Sequence, residues 1–248
     1  MDITQTIIAA IAGVAAGFIG AVTGGGGLLS IPVLLFLGLP VDVAIGTNRF
    51  SAFGLIAAAV PEYYRAKKIR WGVAFKLVPL AMLGGLIGSK ALVHINTDTL
   101  SVIVGVLLLL MIPVVFMNHN KGMKNVKTGE RKTLAGYSLF FLIMIYGGFF
   151  GGGAAMFAIY TLIYFLGFTY IQANATDFIA WSFLSAVALA VFLFSGLVNF
   201  QLGIPLMIGM YIGGALGARV ALEKGNAWVR VLFILVLTAS AVKLLFFR

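Results

Sequence analysis

Long apolar runs alternate with short polar segments along the whole chain. Eight runs have about 18 residues or more, the length at which an α-helix crosses the hydrocarbon core of a bilayer. We assign these spans to residues 4–22, 41–60, 72–92, 100–117, 133–149, 171–197, 202–220 and 229–247. Two shorter apolar runs, residues 28–37 and 154–166, each follow a cluster of glycines. Since neither is long enough to cross comfortably alone, we predict that both are half-helices.

The composition agrees with a membrane location for the whole chain. The sequence is 62% hydrophobic and 10% charged, which leaves too few polar residues to cover a soluble protein. The predicted fold class is therefore an all-α polytopic membrane protein with about eight transmembrane helices plus two half-helices. The formal net charge of +10 is typical of Lys and Arg in cytoplasmic loops and does not call for nucleic acid. Without cysteine there is no thiolate chemistry, and we predict no cofactor and no metal site.

The two halves of the sequence repeat each other without a gap. Gly84 in "GGLIGSK" aligns with Gly213 in "GGALGAR", a displacement of 213 − 84 = 129 residues. The same displacement aligns further pairs: Gly24 with Gly153, Gly38 with Gly167, Thr47 with Thr176 and Lys90 with Arg219. The sequence therefore predicts two homologous repeats, residues 1–117 and 132–248, joined by a cytoplasmic linker loop of residues 118–131.

The distribution of Lys and Arg in the short loops predicts the orientation of each repeat. Residues 63–71 and 118–131 are basic and are predicted to be cytoplasmic, whereas residues 94–98 have no Lys or Arg and should lie outside. In the second half the order is reversed, since residues 196–203 are uncharged and residues 218–230 are basic. This pattern favours inverted repeats, in which each glycine cluster turns a helical hairpin. Parallel repeats with four crossings in each half remain the alternative.

The two glycine clusters are candidate anion-binding sites. A glycine turn between two helices exposes unpaired N–H groups at the start of the second helix, where the helix dipole is positive. Transporters built from repeats place such broken helices near the membrane midplane. The predicted substrate-binding glycines are Gly24, Gly25, Gly26, Gly27, Gly151, Gly152 and Gly153. For the glycines of residues 84–88 and 213–217 we favour a simpler role, which is close helix packing.

Arg49 lies near the middle of the predicted span 41–60. A charged side chain at that depth is costly and marks function, and a guanidinium offers a planar set of donors that suits an oxyanion. Pairing with a structural carboxylate, or a position in a wet entrance, remain alternatives. We predict that Arg49 binds the substrate together with its polar neighbours Thr47, Asn48 and Ser51.

A polar stripe runs along the corresponding helix of the second half. Asn174, Asp177, Trp181 and Ser185 follow steps of three, four and four residues, so they share one helix face. The predicted substrate-binding residues of this half are Asn174, Thr176 and Trp181. Asp177 is the acidic residue well within a predicted span, and it is a candidate for proton coupling or for a partner of Arg49; both remain open. Aromatic residues near the predicted helix ends, among them Tyr63, are predicted to be interfacial anchors.

Several of these motifs resemble one family of bacterial permeases. They are "GGGGLLSIPVLLFLG", "AIGTNRF", a basic loop that ends in Trp71, "ANAT" and "GGALGARVA". Over nearly the whole chain the sequence is similar to the sulfite exporter TauE/SafE family. The resemblance implies a secondary carrier in the cell inner membrane that exports sulfite, sulfoacetate or a related organosulfonate. Members of the family often carry a lysine soon after the second "NAT", where this chain has Asp177 and Phe178.

A carrier is the function class that accounts for the duplication, the broken helices and the polar centres together. An anion channel, or an importer of another small organic anion, remains the alternative. We do not expect an enzyme, because the sequence has no cysteine and its two histidines are scattered. The predicted partners are a small sulfur oxyanion or sulfonate and the lipid bilayer, with no nucleic acid; a homodimer is left open.

Overall fold

A computed structural model of the chain describes residues 3–96, 99, 122–126 and 128–246. This part contains eight α-helices and no β-strand. The helices are α1 (Ile3–Thr23), α2 (Gly27–Phe36), α3 (Val41–Arg65), α4 (Trp71–Val93), α5 (Glu130–Phe149), α6 (Ala154–Leu166), α7 (Tyr170–Phe194) and α8 (Phe200–Phe246).

Six of the described helical segments are long and apolar enough to cross a membrane. They are α1, α3, α4, α5, α7 and the Phe200–Val229 part of α8. The short apolar helices α2 and α6 have 10 and 13 residues, which confirms the two predicted half-helices. The predicted spans 202–220 and 229–247 meet within α8, where Gly225 interrupts the helical backbone with φ 79° and ψ −178°. The predicted span 100–117 lies outside the described residues.

The described helices of the two halves follow the same order. In α1–α4 and again in α5–α8, a long helix is followed by a short one and then by two long ones. Helices α3 and α7 both have 25 residues, and their first residues are displaced by 170 − 41 = 129 positions. The turns before α2 and α6 both contain a glycine with left-handed backbone, Gly24 (φ 75°) and Gly153 (φ 74°). Glycine adopts this conformation without the steric cost that a Cβ atom brings.

Helices α3 and α7 run antiparallel to each other. The Arg70 N–H, just after α3, donates to Thr176 Oγ1 near the start of α7 at 3.1 Å. The Asn199 N–H, just after α7, donates to Thr47 Oγ1 near the start of α3 at 2.9 Å. The end of each helix therefore lies beside the start of the other, and the two hydrogen bonds are related by the same displacement of 199 − 70 = 129.

Each half of the chain supplies one helix that packs on the other half. Helix α4 packs against α5 and α7, whereas α8 packs against α1 and α3. A Cβ atom on Gly84 or Gly88 would collide with the α5 backbone, and one on Gly213 or Gly217 would collide with the α1 backbone. These contacts confirm that the two glycine motifs permit close helix packing. Because α4 packs on the second half and α8 packs on the first half, the two halves form one bundle.

The loops give the two ends of the bundle different charge. At one end, residues 65–70 contact the start of α7, and residues 122–126 form hydrogen bonds with residues 167–170. Arg219 pairs with Glu62 at the same end, which we call the basic end. The opposite end carries residues 94–96 and 195–199, which contain no Lys or Arg.

Candidate functional site

The two glycine turns meet at the centre of the bundle. A Cβ atom on Gly27 would lie 3.3 Å from the Gly152 Cα atom, and one on Gly24 would lie 2.8 Å from the Ala155 Cβ atom. Glycine at these positions therefore lets the tips of the α1–α2 and α5–α6 hairpins touch. The starts of α2 and α6 and the ends of α1 and α5 consequently converge on one small region.

A cavity of about 40 Å³ lies beside the two tips, between α3 and α7. A single water needs about 10–15 Å³ of such a cavity, so this cavity accepts about three water-sized groups. A small oxyanion has about this size. The sequence-predicted residues that line it are Gly24, Gly26, Gly27, Asn48, Arg49, Gly151, Asn174, Asp177 and Trp181. The lining residues that sequence reasoning missed are small or apolar: Gly20, Ala52, Leu55, Ala155, Phe178 and Met210.

Arg49 is 2% exposed and is held without a carboxylate partner in the described part of the chain. Its Nη2 group donates to the Gly147 carbonyl in the last turn of α5, and Nη1 lies 3.5 Å from Ser185 Oγ. The Trp181 ring centroid is 5.0 Å from Arg49 Cζ, within cation–π range. The negative end of the α5 dipole favours a cation here. The Nε donor of Arg49 is buried and has no hydrogen-bond partner among the described residues, and Arg49 lines the cavity.

Asp177 faces the same cavity from α7. It is 2% exposed, and its Oδ1 atom has no hydrogen-bond partner within the described residues. In this part of the chain the sole ion pair joins Arg219 and Glu62, so Asp177 and Arg49 share the cavity without forming a salt bridge. Buried polar atoms are normally hydrogen-bonded, and an unpaired one needs an explanation. Binding of an ion or a proton at these two groups would provide it.

Asn48 adds a second donor group to the cavity. Its Oδ1 atom lies 2.5 Å from Ser30 Oγ, which donates to it. The amide orientation leaves Nδ2 near the start of α2, since a Cβ atom on Gly27 would be 3.6 Å from it. No side chain caps the start of α2 or of α6, and most first-turn N–H groups donate to carbonyls of the glycine turns. The Gly27 and Ala155 N–H groups have no hydrogen-bond partner among the described residues, and both residues line the cavity. The cavity is therefore rich in donors that suit an anion.

Asn174 belongs to a hydrogen-bonded group at the edge of the cavity. Its Nδ2 atom donates to the Ala21 carbonyl at 2.5 Å and lies 3.2 Å from Tyr63 Oη. Tyr63 Oη also donates to the Ala21 carbonyl, at 2.7 Å. Tyr63 is fully buried, so its predicted role as an interfacial anchor is wrong. The reason is that its hydroxyl binds a carbonyl that the last turn of α1 leaves unpaired.

Thr47, Thr176 and Ser51 lie outside the cavity lining and hold the helices in place. Thr47 and Thr176 accept hydrogen bonds from the backbone before α8 and α4, respectively. Ser51 Oγ is 2.9 Å from the Thr47 and Gly203 carbonyls. These side chains tie α3 and α7 to the neighbouring helices.

Three predicted glycines also lie outside the lining, within the two turns. The Gly25 N–H donates to Thr23 Oγ1 at 3.2 Å, and the Gly152 carbonyl accepts a hydrogen bond from Tyr146 Oη at 2.5 Å. Gly153 is the left-handed residue before α6. They shape the hairpin tips that form one wall of the cavity.

Comparison with known proteins identifies the relatives of this chain. The family model described as sulfite exporter TauE/SafE matches residues 9–244. A relative in Sinorhizobium, named "Probable membrane transporter protein ORF9", is 30% identical over 93% of this chain and 88% of its own length. "Probable membrane transporter protein" of Haemophilus influenzae is 27% identical over 99% of this chain and 97% of its own length. "Probable membrane transporter protein YfcA" of Escherichia coli is 27% identical over 93% of this chain and 86% of its own length. No solved structure matches the chain.

Proposed function

Because the chain belongs to the sulfite exporter TauE/SafE family, we propose that it is a secondary carrier that exports a small sulfur-containing anion. The substrate class is sulfite, sulfoacetate or another organosulfonate, and the location is the bacterial inner membrane. The chain is a multi-pass membrane protein, and its relatives are named as membrane transporters. One observation carries the choice of an anion: the buried Arg49 retains an unpaired Nε donor in a central cavity.

The anion is held by donors from both halves of the molecule. Arg49 Nε and Asn48 Nδ2 come from α3, and the N–H groups of Gly27 in α2 and Ala155 in α6 lie at the hairpin tips. The positive ends of both helix dipoles and the guanidinium charge stabilise an oxyanion there. Trp181, stacked near the guanidinium, limits the space for the substituent of an organosulfonate.

Inverted repeats supply the transport cycle in this proposal. The antiparallel course of α3 and α7, and the equivalent hydrogen bonds of Thr47 and Thr176, support that arrangement. Carriers of this kind expose a central site alternately to the two sides as one half moves against the other. The basic end of the bundle is cytoplasmic by the distribution of Lys and Arg.

Asp177 couples anion transport to protons. The charge in the cavity is zero when Asp177 is a carboxylate beside the Arg49 guanidinium, and +1 when Asp177 is protonated. An anion binds more strongly to the protonated form, and by thermodynamic reciprocity the bound anion favours that proton equally. The anion and the proton therefore bind together and move in the same direction, so export in this proposal is driven by the outward gradient of the anion and not by an inward proton gradient. For a singly charged anion the loaded cavity carries no net charge, so the membrane potential does not act on the loaded form.

Thermal stability of the purified protein tests the substrate class. The series of ligands is sulfite, sulfate, thiosulfate, sulfoacetate, isethionate, taurine and chloride. A ligand that binds only the folded state stabilises it by about 2.7 kcal/mol at a hundredfold excess over its dissociation constant. We expect a rise for at least one sulfur oxyanion or sulfonate and loss of that rise in Arg49→Ala.

Arg219→Ala provides the matched control, because Arg219 is exposed and pairs with Glu62 at the basic end. This variant should keep the ligand-dependent rise in stability. A well-folded protein that responds to none of these anions would contradict the proposed substrate class. A response that Arg49→Ala retains in full would contradict the proposed site.

A further inference from the structure

Three residues close the cavity toward the basic end through hydrogen bonds. Tyr63 and Asn174 both bind the Ala21 carbonyl, and Asn174 Nδ2 also lies 3.2 Å from Tyr63 Oη. Tyr63 is at the end of α3, Asn174 is near the start of α7, and Ala21 is in the last turns of α1. We call this group of Ala21, Tyr63 and Asn174 the latch.

The equivalent positions of the other half form an apolar group. The displacement of 192 − 63 = 129 relates Tyr63 to Phe192, and the same displacement relates Asn174 to Ile45 and Ala21 to Phe150. We call this group of Ile45, Phe150 and Phe192 the plug. Its three side chains are at most 2% exposed and belong to one apolar cluster.

The plug closes the cavity toward the opposite end of the bundle. Phe150 directly precedes Gly151, which lines the cavity. The partly buried side chains packed on the plug cluster include Ile95, Leu197 and Val198, which belong to the loops of the opposite end. The latch and the plug therefore lie on the two sides of the same cavity.

The two closures differ in what it costs to open them into water. Opening the latch exposes the Tyr63 ring, which belongs to an apolar cluster together with Ala21, but the hydrogen bonds within the protein are exchanged for hydrogen bonds to water. Opening the plug exposes the Phe192 ring, which is of similar size, and in addition the side chains of Phe150 and Ile45, and water offers none of them a compensating interaction. At equal displacement the latch is therefore the easier of the two to open.

We propose that the latch and the plug are the two gates of this carrier, and that the latch is the gate that opens in the unloaded protein. The inference rests on the proposed function in one respect, since alternating access requires two gates. The unloaded cavity then faces the basic end, which is where an exporter collects its substrate. The assignment does not depend on which sulfur anion is carried.

The accessibility of a cysteine in the cavity tests this assignment. The chain has no cysteine, so Ala52→Cys introduces a single thiol into the cavity lining of the otherwise natural sequence. A membrane-impermeant methanethiosulfonate reagent is added to membrane vesicles of either orientation. Single cysteines at two exposed positions, Arg65→Cys and Ser195→Cys, mark the basic and the opposite end. We expect the Ala52→Cys thiol to react at least about fivefold faster from the side that labels Arg65→Cys. This ratio of rates corresponds to the net free energy of one ordinary hydrogen bond.

Two reciprocal substitutions at equivalent positions separate the gates. Tyr63→Phe removes the hydroxyl of the latch, and Phe192→Tyr places a hydroxyl in the plug. We expect Tyr63→Phe to accelerate labelling from the basic side by about fivefold and to leave the other side unchanged. Phe192→Tyr should accelerate labelling from the opposite side alone. If Phe192→Tyr does not fold, Ile45→Val removes one methylene from the plug and should act in the same direction.

Labelling in the absence of substrate keeps this test separate from the proposed function. Faster labelling of Ala52→Cys from the opposite end, or equal effects of Tyr63→Phe on both sides, would overturn the gate assignment. Protection of the Ala52→Cys thiol by a sulfur anion tests the proposed function independently. Side-specific labelling without protection by any anion of the series would support the gates and contradict the substrate class.

Discussion

Helices α3 and α7 share their length, their place in the chain order and their threonine contacts, yet they present different chemistry to the cavity. At two successive positions α3 carries Asn48 and Arg49, where α7 carries Asp177 and Phe178. The Asn48 amide has a hydroxyl partner in Ser30. The position of α6 equivalent to Ser30 is Ile159, and the Oδ1 atom of Asp177 has no partner among the described residues.

The comparison shows how a shared backbone serves two tasks. The features common to both halves, which are the left-handed glycines and the threonine hydrogen bonds, build the cavity. In the proposed function the features that differ decide what the cavity binds: α3 supplies the cation for the anion, and α7 supplies a group that accepts a proton. Substitutions at shared positions should therefore change stability, and substitutions at differing positions should change binding.

Gly24→Ala should have the largest effect on stability, because it disturbs a shared turn in two ways. A Cβ atom there would lie 2.8 Å from the Ala155 Cβ atom, and the backbone has φ 75°. Left-handed strain of about 1–2 kcal/mol and overpacking of about 1–3 kcal/mol should together lower the free energy of unfolding.

The matched control for this prediction is Gly196→Ala, which has φ 69° and no atom within 4 Å of the added Cβ. It should show the backbone strain without the overpacking. Denaturant unfolding of both variants in detergent measures the difference. Equal losses at the two positions would contradict the close contact of the hairpin tips.

Arg49→Ala should have the largest effect on anion binding. Hydrogen bonds to charged groups contribute up to about 3 kcal/mol, which corresponds to a loss of affinity of about a hundredfold. Arg49→Lys keeps the charge and loses the planar donor geometry, so its affinity for the anion should lie between that of the parent protein and that of Arg49→Ala. Calorimetric titration of the sulfur anion gives all three affinities. A loss of anion affinity of less than about threefold in Arg49→Ala is well below the effect expected of one such hydrogen bond. That result would contradict the proposed role of Arg49 in anion binding.

Thr47→Val and Thr176→Val should lower stability by similar amounts. Each variant leaves one backbone N–H, that of Asn199 or of Arg70, without its acceptor. Because both contacts are only part-buried, each loss should cost about the net value of one hydrogen bond, about 0.5–1.5 kcal/mol. Anion affinity should stay unchanged in both, because neither threonine lines the cavity. A stability loss in one variant alone would show that the two halves are not equivalent at this contact.

Ser30→Ala should have the smallest effect. Loss of the hydroxyl that binds Asn48 Oδ1 should reduce anion affinity a few-fold, in line with about 1 kcal/mol for one hydrogen bond. Ser89→Ala is the control, because the Ser89 hydroxyl is buried and binds carbonyls of its own helix, α4. Titrations of the two variants side by side should show a change in Ser30→Ala only.

The sequence predicted six long apolar helices, the two short helices and the polar residues that line the cavity, because all of these depend on local signals. Apolar runs of defined length fix the spans and the two half-helices, as α2 and α6 confirm. Arg49 and Asp177 stand out because ionisable groups are rare within apolar runs. Helical geometry explains why Thr47 does not share the cavity with Arg49: residues two positions apart do not face the same side of a helix.

Other parts of the site carry no local signal. Tyr63 sits near a helix end, where an interfacial anchor is the ordinary interpretation of a tyrosine, and its burial depends on the distant Ala21 carbonyl. Ser30 is a single hydroxyl in an apolar half-helix, and its contact with Asn48 follows from tertiary packing. The apolar lining residues Ala52 and Met210 resemble any other core residue in the sequence.

The central claim is that the cation of α3 and the carboxyl group of α7 act on one anion. The most direct test is the affinity for the strongest-binding sulfur anion, measured against pH in the parent protein and in Asp177→Asn. In the pH range in which Asp177 loses its proton, the affinity of the parent protein for the anion should fall as pH rises, by up to about tenfold per pH unit. The reason is that one proton binds together with the anion. Asp177→Asn should bind the anion without this dependence and thereby supplies the baseline for any protonation of the anion itself. The same pH dependence in both proteins would contradict the account.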